Sequence, residues 1–177
     1  MEPYLAAPAD LAPLLGIGAD DPRLLAALAA ATRRFRGQVR HPVTRATSTI
    51  DLDGSGGDVL QLPAAPVVAV GQVLVDGDPA TGWRVRYAAG LLQRPGGCWP
   101  EWSRITVTYT HGHETAPDDV AEAVVDLARV LYRADPAIQQ ITTGSESLSY
   151  NSSVVTGATS QWTAAVEHHR LNLGDSA

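Results

Sequence analysis

Residues 104–119 read RITVTYTHGHETAPDD, and the fold turns on the change of rhythm inside them. From Arg104 to Tyr109 apolar and polar residues alternate, the period of two expected of a half-buried strand. At Pro117-Asp118-Asp119 a proline and two acids open another pattern. Val120, Val124, Leu127, Ala128 and Leu131 follow at spacings of three to four, which predicts a helix over 117–133 that stops near Asp135-Pro136. A β segment ends here and a helix begins.

The same change runs in reverse upstream. Leu24, Leu25, Leu28, Ala31, Thr32, Phe35 and Val39 recur at helical spacing, Asp20 and Asp21 stand ready to cap, and Pro22 suits a first turn, so 22–39 reads as a helix. Arg33, Arg34, Arg36 and Arg40 crowd its end, where the helix dipole favours cations, and His41-Pro42 closes it. A shorter helix is expected over 8–15, with Leu11, Leu14 and Leu15 on one face. Between the two long helices, strands are read over 46–52, 59–62, 67–75, 83–87, 90–94 and 104–109, punctuated by glycine- and proline-rich turns. The fold class is therefore α+β, a helical bundle carrying an inserted small antiparallel sheet or barrel of five or six strands. The expected organisation is N-terminal bundle helices over 1–45, the β subdomain over 46–113, a central bundle helix over 114–136, and a polar arm with a last helix over 137–177.

Composition narrows the function. A chain of 177 residues with 45% hydrophobic content holds one main core with an elaboration. A net charge of −6 and a charged fraction of 18% argue against a protein built to grip a nucleic-acid backbone. Every basic residue is arginine, a bias that fits either a GC-rich genome or planar pairing at interfaces. The lone Cys98 excludes an internal disulfide and a zinc site of several thiolates, and reads as a small side chain packed under Trp99 and Trp102. No run approaches the roughly 20 apolar residues of a membrane span, and the start has no basic segment before an apolar one. The expectation is a protein made in the cytoplasm without membrane attachment.

Few residues tempt a catalytic reading. His111, His113 and Glu114 would offer metal ligands if the two histidines, two apart on a strand, shared a face; the alternative is a strand-to-helix turn at Gly112. Gly54 to Gly57 lacks the lysine of a phosphate-binding loop and reads as a hairpin turn. The arginine run, with Arg45, is either a solvated helix end or a contact for an acidic partner or passing DNA. Of Trp83, Trp99, Trp102 and Trp162, at least two should be core. Residues 142–159 are rich in serine and short of apolar anchors, either disordered or an extended arm, and Trp162 and Val166 mark a last helix over about 159–171, with the polar pair His168-His169 nearby.

Several of these segments, in this order, resemble the head-tail connector, or adaptor, proteins of long-tailed double-stranded DNA bacteriophages, in the longer form seen in phages of actinobacteria. The likeness is carried by Leu5 to Leu11 with Leu14-Leu15-Gly16, Arg33-Arg34-Phe35-Arg36, Leu52 to Gly57, Leu62 to Val70, Arg94 to Pro100, and Ile105 to Gly112 leading into Pro117-Asp118-Asp119-Val120. Ser145-Glu146-Ser147-Leu148-Ser149-Tyr150 is similar to the family's polar segment before its final helix. The resemblance implies a structural protein of the virion neck with no catalytic residue, cofactor or metal. Its copies would form a homo-oligomeric ring, a dodecamer, under the portal protein, with double-stranded DNA passing through the lumen and the next neck or tail-terminator protein below. In that family the C-terminal segment reaches onto the portal or a neighbouring subunit, so the candidate partner-binding residues are Tyr150, Trp162, Val166, Arg170 and Leu171, with Arg33, Arg34, Arg36 and Arg40 added from the basic helix end. Acidic residues are expected to outnumber basic ones on the lumen face, because attraction to phosphate would slow the DNA. The rival readings are another neck or tail-completion protein, a small metal-dependent hydrolase using His111, His113 and Glu114, and a ligand-binding β module.

Overall fold

The computed structural model describes residues 4–133 and 159–171, with the backbone of two short strands between them. It is α+β, and it divides into a helical unit drawn from residues up to 40 and from 116–170, and a β unit drawn from 41–115 and Leu171.

In the helical unit, α1 (Pro8–Leu15) and α2 (Pro22–Val39) are followed by α3 (Asp118–Arg133) and α4 (Ser160–His169). The Asp21 carboxylate accepts hydrogen bonds at 2.9 Å from the backbone N–H of both Arg23 and Leu24, satisfying two donors that α2 cannot pair internally. Leu24, Ala27, Leu28, Ala31, Thr32, Phe35 and Val39 of α2 are buried, as are Val120, Ala123, Val124, Leu127 and Ala128 of α3. At roughly 1.5–3 kcal/mol for each large apolar side chain removed from water, these two faces dominate the unit's stability. Thr32, though polar, is buried because its hydroxyl accepts from the Leu5 N–H at 3.2 Å. α1 departs from expectation: Leu11 and Ala12 are its buried residues, and Leu14 is 52% exposed. The buried side of α1 lies between Leu11 and Ala12, and Leu14, about 60° round the helix on the far side of Leu11, turns away from it.

The β unit holds seven strands in two sheets, more than the five or six expected. β1 (Ala46–Asp53), β3 (Val67–Val75), β4 (Asp78–Pro79) and β7 (Arg104–His111) form a sheet in the order β1-β7-β3-β4. β2 (Val59–Gln61), β5 (Arg84–Arg86) and β6 (Leu91–Gln93) form a second in the order β2-β6-β5. β4 arises where the sequence suggests only a turn, because Asp76 and Gly77, both at positive φ, fold the chain back so tightly that Asp78 pairs with Val75. β1 and β7 pair antiparallel in unbroken register from Ala46 opposite His111 to Asp53 opposite Arg104. Along β7, Ile105, Val107, Tyr109 and His111 are buried while Thr106, Thr108 and Thr110 are half-exposed. The outer face is joined by side chains, Thr47 to Thr110 and Thr49 to Thr108 at 2.9 Å. Leu60, Leu62, Val67, Val73, Leu92, Trp99, Ile105, Val107 and Tyr109 make the core, with Leu171 packed against it.

Between α3 and α4 only β8 (Thr142–Thr143) and β9 (Glu146–Ser147) are described, paired antiparallel. The remainder of the expected polar arm lies outside the described residues.

Candidate functional site

The arginines gather on one end of α2. Arg33, Arg34 and Arg40 are exposed, and Arg36 is half-buried, which holds its guanidinium below its ordinary value. At about 100° per residue, Arg33 and Arg40 stand opposite Phe35, so the helix end is basic on one side and apolar on the other.

The apolar side receives α4. Trp162 is 4% exposed, its ring meets Phe35 edge-on at 5.2 Å, and its Nε1 donates to Gln38 Oε1 at 2.8 Å. The Thr159 hydroxyl caps the helix by accepting from the Trp162 N–H at 3.1 Å, and Gln161 Nε2 donates to Glu122 at 2.6 Å. Of the expected partner-binding residues, Trp162 is therefore occupied within its own chain, Val166 is half-buried, Arg170 is exposed, and Leu171 packs on the β core. Tyr150 lies outside the described residues.

At His111, His113 and Glu114 the structure shows the strand-to-helix turn and not a shared metal face. His111 is the last residue of β7, 2% exposed, with its Nε2 at 2.9 Å from the Ser48 hydroxyl and its ring 4.9 Å from that of Tyr109. Burial, and then the nearby His41, push its pKa below the usual histidine value. His113 falls outside the strand because Gly112, at φ +92°, breaks the alternation that would have put both rings on one face. His113 is instead tied by its backbone, donating to Val43 O at 2.9 Å and accepting from the Arg45 N–H at 2.7 Å. Glu114 is exposed. The described residues do bring one metal-competent group together, but it is Asp119 with His168 and His169, in the helical unit. The histidine pair stands out in the sequence; its carboxylate partner, far away in the chain, carries no signal.

Two loops of the β unit form a stitched platform. Gly54 donates to Ser103 O at 2.8 Å, Trp102 to Gly54 O at 3.1 Å, Gly56 to Trp99 O at 2.8 Å and Trp99 to Gly57 O at 2.8 Å. A Cβ on Gly54 would collide with the Pro100 carbonyl. Trp99 points inward and is fully buried, with the Arg94 guanidinium over its ring at 5.7 Å. Trp102 points outward, 84% exposed at φ +63°. The expectation for Cys98 is corrected here: it is exposed, because the neighbouring indole of Trp99 takes the buried place.

Comparison with known proteins gives one direction. The family described as "Head completion protein" matches residues 15–170. A chain from a structure described as "Neck of empty GTA particle computed with C6 symmetry" is similar at 25% identity and a TM-score of 0.60, covering 96% of this chain and 91% of that one. A chain from "Virion of native gene transfer agent (GTA) particle" shares the fold at 24% identity and a TM-score of 0.56, covering 91% of this chain and 83% of that one. No curated protein matches the sequence.

Proposed function

This chain belongs to the head completion protein family, and from that premise we propose that it serves as a structural part of the neck of a tailed phage or phage-like particle, joining head to tail. The observation that carries this reading is the family match over 15–170, reinforced by the shared fold with a chain of a particle neck. Its place is the virion, and among the described residues no helix is long and apolar enough to cross a membrane.

The finer reading is a ring of identical copies under the portal protein, extending the DNA channel and offering a surface to the next neck or tail-terminator protein. Head-to-tail contacts between unlike faces close into rings, and a particle neck of sixfold symmetry supports a copy number of six or twelve, of which twelve is our proposal. The chain acts by shape and contact, without catalysis. Exposed Arg33, Arg34, Arg40 and Arg170 contact protein neighbours, and the lumen face carries more acids than bases, so that DNA slides without adhering. The polar segment before α4, with Tyr150, supplies contacts to a neighbour.

Imaging the purified chain by negative stain, alone and mixed with the portal ring of the same genome, tests this. An added layer beneath the portal is the expected result. Bare portals beside free protein would move the chain to a later position in the neck.

A further inference from the structure

We propose that Asp119, His168 and His169 form a binding site for one divalent transition-metal ion, zinc or a neighbour with the same preference for imidazole, which would lock the end of α4 onto the start of α3. This goes beyond the neck reading and does not depend on it.

His169 Nε2 lies 2.9 Å from Asp119 Oδ2 and 3.2 Å from Oδ1. His168 Nδ1 lies 3.9 Å from the same Oδ2. One donor atom from each residue falls within 4.8 Å of the other two. Donors around a tetrahedral zinc stand about 3.3 Å apart, given bonds of roughly 2.0–2.2 Å to nitrogen and oxygen. The group is thus slightly open, and one side chain must close it.

His168 is the residue able to move. Its side chain is 77% exposed, whereas that of His169 is 11% exposed and already bonded to Asp119. The two rings stack at 4.6 Å with an angle of 11° between their planes, so their nitrogen lone pairs run side by side and do not converge. Turning the His168 ring off the stack brings Nδ1 towards the carboxylate, while His169 and Asp119 need part by only roughly a few tenths of an ångström as the ion takes the place of the proton between them. Asp119, with a side chain 42% exposed, leaves room for water to complete the shell.

The donor chemistry selects the ion. Two imidazoles and one carboxylate suit zinc, cobalt, nickel or copper, while calcium and magnesium prefer sites made of oxygen alone. Three protein ligands and an open position complete a tetrahedron. The backbone beneath is already fixed: Asp119 sits in the first turn of α3, and α4 is held by the Gln161 contact with Glu122 and the Trp162 contact with Gln38.

The test uses the full chain without a histidine tag. Zinc titration by calorimetry and cobalt titration by visible absorption are run on the native protein and on H168A, H169A, D119N and H113A, each checked for its fold by circular dichroism. The expected result is one equivalent of metal, an intense tetrahedral cobalt spectrum, and a melting temperature raised by zinc in the native protein and in H113A. H168A should bind at least about tenfold more weakly; because that side chain faces solvent, its loss is informative even if H169A or D119N fails to fold. Absence of binding at millimolar zinc, or binding unchanged in H168A, would overturn the proposal. So would binding abolished by H113A.

Discussion

Trp162 and Gln38, 124 positions apart in the chain, are joined by a hydrogen bond of 2.8 Å that fastens the last described helix to the end of α2. Trp162→Ala removes this bond together with the edge-on contact to Phe35 and should cost about 3–5 kcal/mol. Gln38→Ala, which strands the indole N–H but leaves the ring packed, should cost about 1–3 kcal/mol. Denaturant unfolding of both variants checks the order; equal losses would mean that the ring packing contributes little.

Gly112→Ala should destabilise the β unit by about 2 kcal/mol or more. The position has φ +92°, and an added Cβ would lie 2.6 Å from the Thr44 carbonyl oxygen, a backbone atom unable to swing aside. By contrast Gly77→Ala, also at positive φ but with nothing within 4 Å of an added Cβ, should lose only about 1 kcal/mol. Paired thermal melts separate the collision from the backbone strain.

Acid should loosen the β unit through His111. Its folded pKa lies below the ordinary value of 6.5, so the unfolded chain takes up the proton first. Stability is then full above that value and falls as pH drops below it towards the folded pKa. His41 lies close enough to oppose the charge, and Tyr109, the ring beside His111, is uncharged in this range, far below its ordinary pKa, which burial raises further. His111→Phe should flatten the pH dependence between about pH 7 and 5. Retention of the full slope in that variant would assign it elsewhere.

Trp102→Ala should leave the melting temperature nearly unchanged, within about 0.5 kcal/mol, because the ring lies in solvent. If Trp102 anchors a neighbour, the same change should weaken ring formation or docking, read by imaging with the portal.

Charge reversal of Arg33 and Arg40 to glutamate should likewise spare the isolated fold, apart from a few tenths of a kcal/mol of lost dipole interaction at the end of α2. Docking should weaken, and in the native protein it should weaken as salt rises. Docking insensitive to both would remove this helix end from the interface.

Much of the fold was legible because periodicity is local. The α2 boundaries, the alternation in β1 and β7 and the capping acids all follow from neighbouring residues. The partition into two sheets was not, since the pairing of β2 with β6 joins Val59 to Gln93 across three intervening strands and no local rule prescribes it. The site fared similarly. The arginines were visible as a run, and the exposed members are those on the side of α2 away from Phe35. Trp162 read as a docking anchor because an aromatic residue on a tethered helix looks available; only the three-dimensional neighbourhood reveals that Phe35 and Gln38 occupy it. For His111 and His113, spacing by two allows a shared face, but Gly112 and Pro117 already mark a turn in the sequence, and the positive φ of Gly112 makes it one.

The two ends of the β unit meet. Ala46 pairs with His111, and the next contacts outward tie Val43 and Arg45 to His113. Seen from the helical unit, some seventy residues of sheet reduce to a gap of one strand spacing, roughly 5 Å. Loops and strands inside that bracket can lengthen, shrink or be exchanged without altering the distance that α2 and α3 must span. The junction is thus a natural grafting point: a foreign hairpin spliced inside the bracket that Val43, Arg45 and His113 close would leave the two ends of the module where they are.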